Sequence, residues 1–138
     1  MPDQPVFVLD SFAVLAHLQD ESGRGRVVTL LEEATRGECL LLLSLINLGE
    51  VAYLLERRRG LARTQAALAA VEALPLRVLP ADRDTVLLAA HLKAHYPISF
   101  ADAFAATAAQ MHQAVLLTGD PEFNALGHQI QVEWLEST

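Results

Sequence analysis

Short apolar runs alternate along this chain with longer stretches in which apolar residues recur every three or four positions. The short runs predict buried strands, whereas the three-to-four spacing predicts helices with one buried face. Between the strands, this spacing predicts six helices, of which the first covers residues 11–19 and the third covers residues 45–58. The predicted strands are Val6–Leu9, Cys39–Leu43, Leu76–Leu79, Val115–Thr118 and Gln131–Trp134.

Local signals indicate where several of these helices begin and end. Gly37 follows the second apolar face, which predicts a C-terminal cap at that position. Asp82 or Asp84 is expected to cap the fifth helix at its N-terminus. Ser99 precedes Asp102 by three positions, a spacing similar to a capping box, and it is expected to open the sixth helix.

Strands that alternate with helices predict an α/β fold in which a mainly parallel sheet is covered on both faces. We therefore expect a three-layer sandwich with a central five-stranded sheet flanked by helices. A chain of 138 residues with a hydrophobic fraction of 52% is long enough and apolar enough to bury one core. No internal repeat or long linker divides the sequence, so residues 1–138 are expected to form a single domain.

Composition and charge exclude some classes of partner. The longest apolar run, Cys39 to Leu43, is far shorter than the roughly 20 residues that cross a bilayer, so no membrane partner is expected. The single cysteine, Cys39, has no partner for a disulfide within the chain, which favours a reducing cytoplasm. The net charge of −7 opposes nucleic-acid binding at long range unless bound cations offset it locally.

Four carboxylates stand where apolar segments end or helices begin, namely Asp10, Glu50, Asp102 and Asp120. Asp10 closes the first predicted strand and Asp120 follows the fourth, and the carboxyl ends of parallel strands share one edge at which ligands bind. Because desolvated carboxylates are expensive without a compensating positive charge, acids that converge at this edge predict a divalent-metal site. Taken singly, each acid is also compatible with a turn residue or a helix cap.

The residues around these acids resemble the sequence motifs of PIN-domain nucleases. Val8-Leu9-Asp10-Ser11 is similar to the opening motif of the family, and Asn47-Leu48-Gly49-Glu50-Val51 is similar to its second acidic motif. Ser99-Phe100-Ala101-Asp102-Ala103 is similar to the third motif. Leu117-Thr118-Gly119-Asp120-Pro121-Glu122-Phe123 resembles the fourth, so the resemblance spans almost the whole chain in the order of the family.

This resemblance implies a PIN-like fold and a ribonuclease that requires Mg²⁺ or Mn²⁺, hydrolyses RNA phosphodiester bonds and is usually a homodimer. The chain has little beyond the domain itself, which is similar to the small VapC-type toxins of toxin–antitoxin pairs and implies an antitoxin partner. The apolar faces of the early helices exceed what one core holds, so part of this surface is expected to form the dimer or to receive an antitoxin segment, including Phe12, Leu30 and Tyr53.

The same interpretation gives the acids different roles. Asp10 and Asp102 are expected to bind the metal directly, and Asp120 is expected to complete or bridge the site. Glu50 is the fourth candidate catalytic residue and is expected either to bind a second ion or to orient the attacking water. The residues expected to support these acids or to contact the substrate are Ser11, Asn47, Thr118 and Glu122.

Several alternatives stay open at this point. Glu122 equally fits a solvated helix start, and Asn47 fits a helix cap. The Arg57-Arg58-Arg59 run either forms a solvated helix end or contacts RNA or an acidic partner. A haloacid-dehalogenase-type phosphatase would need a second acid at the position of Phe12, so this class is not favoured. The remaining alternative is a catalytically inactive PIN-like module that only binds an antitoxin or RNA, although such a module need not keep all four acids.

Overall fold

The computed structural model of the chain describes residues 4–135 and contains five strands and six α-helices. The strands are β1 (Val6–Leu9), β2 (Leu40–Ser44), β3 (Arg77–Leu79), β4 (Val115–Thr118) and β5 (Gln131–Trp134). The helices are α1 (Ser11–Leu18), α2 (Arg24–Thr35), α3 (Leu45–Arg59), α4 (Leu61–Glu72), α5 (Arg83–His95) and α6 (Phe100–Met111). A seventh helical segment, of 3₁₀ type, covers Pro121–Gln129 between β4 and β5.

The five strands form one sheet in the order β3-β2-β1-β4-β5, and every neighbouring pair is parallel. The predicted α/β sandwich is therefore confirmed, with a sheet that is wholly parallel. β1 lies at the centre, where Val8 is in register with Leu42 on one side and with Leu116 on the other. The chain passes from β1 to β2 in one direction and later to β4 in the other, so the strand order reverses beside β1. Such a reversal opens a crevice at the carboxyl ends of the strands.

The sheet separates two apolar cores because successive strand residues point to opposite faces. Leu41 and Leu43 of β2 belong to the core that α1, α2, α3 and α4 cover. Leu42, between them, belongs to the core that α5 and α6 cover. Five of the fifteen buried residues of the second core are alanines of α6, whose small side chains let that helix lie close to the sheet.

Two of the expected helix signals are present. Gly37 follows α2 in the left-handed conformation, with φ of 75°, as the predicted C-terminal cap requires. Of the two acids considered for α5, Asp82 is the cap, because its carboxylate accepts a hydrogen bond from the Thr85 N–H at 3.0 Å. Asp84 lies in the first turn of the helix instead.

The expected surplus of apolar surface is present in part. Phe12 and Tyr53 are exposed, but Leu30 is fully buried in the core, so the prediction for Leu30 was wrong. Leu30 packs inward because α2 lies directly over β2, and its carbonyl accepts a weak hydrogen bond from the buried Cys39 thiol. Over residues 4–135, no helix combines the length and the apolar character that a membrane span needs.

Candidate active site

The four acids of the predicted site lie around the carboxyl edge of the sheet, at the reversal of strand order. Asp10 directly follows β1 and Asp120 comes two residues after β4, so the two acids flank the crevice between adjacent strands. Asp102 lies in the first turn of α6. Glu50 lies in the second turn of α3, which begins at the carboxyl end of β2. The topology thus brings together acids from four separate parts of the chain.

Asp10 is buried and held by two hydrogen bonds. One carboxylate oxygen accepts the Ala13 N–H at 2.9 Å and caps α1, and the other accepts the Thr118 hydroxyl. Burial raises the pKa of Asp10 to about 7, even though both hydrogen bonds favour the charged form. The nearby negative charges of Asp120 and Glu50 raise the pKa further. Asp10 thus caps α1 and is, at the same time, an acid with a strongly raised pKa.

Thr118 joins the two acids that follow the strands. Its fully buried hydroxyl donates to Asp10 and accepts the Asp120 N–H at 3.0 Å. A hydroxyl has a single proton, and Thr118 donates it to the Asp10 carboxylate. The lone pairs of the same oxygen remain free to accept the Asp120 N–H, so both hydrogen bonds form at once. Thr118 therefore fixes the position of the Asp10 carboxylate relative to the backbone of Asp120.

Three carboxylates converge most closely, namely Asp102, Asp120 and Glu122. Each offers one oxygen, and these three oxygens all lie within 4.8 Å of one another. Oxygens bound to a single Mg²⁺ are at most about 4.2 Å apart, which is twice the bond length, so small side-chain rotations would close the site. Burial raises the pKa of Asp102 to about 8, and the charges of Asp120 and Glu122 add to this effect. Asp10 lies beside this acidic triad but is not a member of it.

Glu122 has a second role that its position in the sequence does not indicate. Its carboxylate accepts a hydrogen bond from the Ser99 N–H, while the Ser99 hydroxyl accepts the Asp102 N–H at 3.1 Å. This is the pattern of a capping box in which a distant glutamate replaces the third helical residue. The capping box expected within Ser99–Asp102 is therefore only half formed, and the Asp102 carboxylate stays available to the acidic triad. Glu122 also lies half-buried in the first turn of the 3₁₀ segment, so it stands at a helix start as well as capping α6.

Glu50 occupies a separate position at the same edge. It accepts a hydrogen bond from the Ser11 hydroxyl, and the Tyr53 hydroxyl approaches its other oxygen at 3.5 Å. Its charge contributes to the raised pKa of both Asp10 and Asp102, so it lies within electrostatic reach of them. Tyr53 was missed as a site residue, although a tyrosine three positions after Glu50 on a helix must share its face.

Asn47 connects two of the helices that carry the acids. Its fully buried side chain donates from Nδ2 to the carbonyl of Ala101 at 3.1 Å, directly before Asp102. Over residues 4–135, its Oδ1 has no hydrogen-bond partner. Asn47 does not cap α3, because Ser44 precedes that helix and its hydroxyl accepts the Ile46 N–H at 3.2 Å. The alternative in which Asn47 caps the helix is therefore wrong, and Asn47 instead positions α6.

No cation of residues 4–135 forms an ion pair with the five acids of this edge, since the four ion pairs of that range involve Asp20, Glu133, Glu38 and Asp84. Carboxylate oxygens are the ligands that Mg²⁺ and Mn²⁺ prefer, and two of these acids, Asp10 and Asp102, have a raised pKa. The residues present therefore fit a divalent cation, because their mutual repulsion and desolvation are what such an ion relieves.

Comparison with known proteins identifies both a family and a fold. The family model described as PIN domain matches residues 7–129. No curated protein matches the sequence. Several solved structures show the fold at identities below 25%, and three of them illustrate the likeness. VapBC2 from Rickettsia felis bound to a promoter DNA fragment has a TM-score of 0.73 and 17% identity, over 95% of this chain and 99% of that chain.

The other two structures are similarly close. VapC20 from Mycobacterium tuberculosis, described as a sarcin-ricin loop cleaving toxin, has a TM-score of 0.68 and 23% identity, over 88% of this chain and 95% of that chain. A toxin–antitoxin complex from Klebsiella pneumoniae has a TM-score of 0.65 and 17% identity, over 95% of this chain and 98% of that chain. The likeness extends over nearly the full length of each protein.

Proposed function

Because this chain belongs to the PIN-domain family, we propose that it is a ribonuclease that requires a divalent metal and hydrolyses RNA phosphodiester bonds. The observation that carries this proposal is the acidic triad, whose oxygens lie within 4.8 Å of one another beside the buried Asp10. This arrangement stands at the strand-order reversal, where open parallel sheets bind their ligands. Acids that are brought together without a cation lower the stability of the fold, and a bound divalent ion would relieve this cost by neutralising their charges.

We assign the metal to three of the acids. Asp102 and Asp120 of the acidic triad, together with the adjacent Asp10, would hold Mg²⁺ or Mn²⁺, and Glu122 is a fourth candidate ligand. Such an ion, when bound, supplies positive charge to the phosphodiester and lowers the pKa of water. Thr118 and Asn47 act through the acids, because they hold Asp10, the Asp120 backbone and the start of α6 in place.

Glu50 has a separate proposed role in orienting the attacking water. Its carboxylate is held by Ser11 on α1 and by Tyr53 on its own helix, so its direction is fixed from two sides. A carboxylate so held accepts a hydrogen bond from water at a defined angle, which aligns the nucleophile with the phosphate.

We further propose that the chain is the toxin of a toxin–antitoxin pair. The support is the fold that it shares with a sarcin-ricin loop cleaving toxin and with a toxin–antitoxin complex, over 95% and 98% of their lengths. As part of this proposal, the chain binds an antitoxin, forms a homodimer, is located in the cytoplasm and folds as a single domain over residues 1–138. Growth arrest on expression, relieved by co-expression of the neighbouring reading frame, tests the toxin role, and sedimentation equilibrium tests the dimer.

The nuclease proposal is tested by incubating labelled RNA with the purified protein in Mn²⁺, in Mg²⁺ and in EDTA. Asp102→Asn should lower the cleavage rate by at least about 100-fold, more than the loss typical of residues that only support a metal ligand. Asp84→Asn is the matched control, because Asp84 is an 85% exposed acid on α5. This variant should cleave RNA at the wild-type rate. Cleavage that survives both EDTA and Asp102→Asn would refute the proposal. A folded protein that binds RNA without cleaving it would favour the inactive binding module.

A further inference from the structure

The exposed side of α3 leads from the candidate active site to a group of arginines. Glu50, Tyr53 and Arg57 are spaced by three and four positions, so they lie on one face of the helix. The Tyr53 hydroxyl lies 3.5 Å from Glu50, and the Arg57 guanidinium lies over the Tyr53 ring at 4.9 Å from its centroid. A continuous row of contacts therefore connects an acid of the site to the C-terminal end of α3.

Four of the ten basic residues of the chain lie within seven positions at the junction of α3 and α4, and all four are exposed. We call them the arginine patch: Arg57, Arg58, Arg59 and Arg63. Within the described range of 4–135, none of the four forms an ion pair, and Arg58 donates only to the neutral side chain of Gln19. A chain with a net charge of −7 thus concentrates unpaired positive charge at one place.

Helix electrostatics explain only part of the arginine patch. Three of the arginines lie in the last turn of α3, where positive charge is favourable. Arg63 lies in the first turn of α4, which is the positive end of that helix, and this turn contains no acidic residue. Because Arg63 is placed against the helix dipole, stabilisation of the helices does not account for the whole patch.

We propose that Tyr53 and the arginine patch bind single-stranded RNA on the side of the cleaved bond that extends along α3. This inference rests on the proposed function and identifies how the substrate is held. A base would stack on the Tyr53 ring, which is 47% exposed, and Arg57 would contact a phosphate. Arg57 is seven residues from Glu50, about 10 Å along the helix, so it meets a flanking nucleotide and not the phosphate that is cleaved.

The charge distribution favours RNA as the occupant. The acids of the site repel a polyanion until cations are bound, so a substrate needs positive charge close by to remain attached. Stacking on one aromatic ring and contacts to phosphates depend little on base identity, which suits a strand that continues past the site. Arg57 also holds the Tyr53 ring from one side, so the ring presents a preformed surface to a base.

The test is fluorescence anisotropy with a labelled single-stranded RNA of roughly ten nucleotides, within the range of single-strand site sizes. EDTA is present throughout to prevent metal-dependent cleavage. Arg57→Gln should weaken binding about three- to tenfold and reduce the slope of log K against log salt by about 0.7, the value for one phosphate contact. Arg83→Gln is the matched control, an 84% exposed arginine on α5, across the sheet, and it should leave the slope unchanged.

Tyr53 is tested by two variants that separate its ring from its hydroxyl. Tyr53→Leu should weaken binding by about fivefold or more, the lower end for loss of one stacked base, with the salt slope unchanged. Tyr53→Phe keeps the ring and should bind RNA like wild type. Circular dichroism checks that these surface variants remain folded.

Three results would overturn the inference. They are no RNA binding by the wild type in EDTA at low salt, equal effects of Arg57→Gln and Arg83→Gln, and a change of oligomeric mass in Arg57→Gln with unchanged RNA affinity. The last result would assign this face to a protein interface. Since EDTA removes metal-dependent cleavage from the measurement, binding without any nuclease activity in Mn²⁺ contradicts the proposed function and leaves this inference standing.

Discussion

Thr118 donates its hydroxyl proton to the carboxylate of Asp10 across the ends of two adjacent strands, although 108 positions separate the two residues. The same oxygen accepts the Asp120 N–H. One buried hydroxyl therefore holds an acid from each of the two strands that flank the crevice. The arrangement depends on the pairing of β1 with β4, which is how the fold determines the geometry of the site.

Thr118→Val should keep the shape of the side chain and remove both hydrogen bonds. We expect the free energy of unfolding to fall by about 1–3 kcal/mol, because Asp10 and the Asp120 N–H lose their partner in a buried place. RNA cleavage should fall about 10- to 100-fold, as for residues that orient metal ligands. Denaturant unfolding and cleavage rates measure the two effects.

Thr107→Val is the control for that experiment. The Thr107 hydroxyl is buried and has no hydrogen-bond partner within residues 4–135, so its removal should leave stability unchanged or raise it. If Thr107→Val and Thr118→Val destabilise the protein equally, the hydrogen bonds of Thr118 contribute nothing specific.

Asn47→Asp should separate α3 from α6. The substitution keeps the size of the side chain but replaces the donor to the Ala101 carbonyl with a carboxylate oxygen, and it buries a charge. We expect a loss of at least about 2 kcal/mol in the free energy of unfolding and slower cleavage, because Asp102 lies in the first turn of the helix that is displaced. Asn124→Asp, at an exposed position, should have little effect, and wild-type stability in Asn47→Asp would contradict this account.

The metal-free protein should lose stability as the pH rises. Asp10 and Asp102 have pKa values of about 7 and about 8 in the folded protein, above their ordinary value of 3.8. The folded protein holds these protons more tightly than the unfolded chain does. The two protonated acids therefore add their full contribution to the free energy of unfolding below about pH 4, and this contribution is lost as pH rises through the two pKa values. Unfolding in EDTA should therefore become easier between about pH 5 and pH 8.

Mn²⁺ should reverse this loss at high pH, because the ion binds the ionised carboxylates. At one hundred times its dissociation constant, the ion would add about 2.7 kcal/mol. Thermal unfolding across pH in EDTA and in Mn²⁺ measures both effects, and Asp102→Asn should reduce both. A melting temperature in EDTA that does not depend on pH would show that the pKa values of Asp10 and Asp102 are not raised in the folded protein.

Glu122 is expected to act both as a helix cap and as a metal ligand, and two variants separate these roles. Glu122→Gln keeps an acceptor for the Ser99 N–H and removes the charge, so stability should hold while Mn²⁺ affinity falls. Glu122→Ala should also lose about 1 kcal/mol of stability with the cap. Isothermal titration with Mn²⁺ and denaturant unfolding distinguish the variants. Unchanged affinity in Glu122→Gln would leave Glu122 as a cap only.

The fold was largely predictable because its strands are short apolar runs with clear limits. Val6–Leu9 and Val115–Thr118 occur as predicted, since Asp10 and Gly119 end them. β2 begins one residue later and continues to Ser44, which the apolar pattern excluded. Ser44 pairs with Leu79 in the sheet before it caps α3, so a polar residue closes the strand.

The 3₁₀ segment Pro121–Gln129 was not predicted, because its backbone departs from helical geometry at Gly127 and the apolar spacing is interrupted there. This segment carries Glu122, and its contact with Ser99 spans 23 positions. The order of the strands predicted which acids meet at the edge. Contacts between side chains of distant segments, such as Glu122 with Ser99 or Ser11 with Glu50, require the assembled structure.

The central claim, that the acids of this edge hold a divalent cation, is tested most directly by a crystal structure with Mn²⁺ and its anomalous scattering. We expect a peak roughly 2.2 Å from carboxylate oxygens of Asp102 and Asp120, with Asp10 adjacent and with no peak in crystals of Asp102→Asn. No peak at this edge in the wild type at a saturating Mn²⁺ concentration, or a peak only at other acids, would contradict the account.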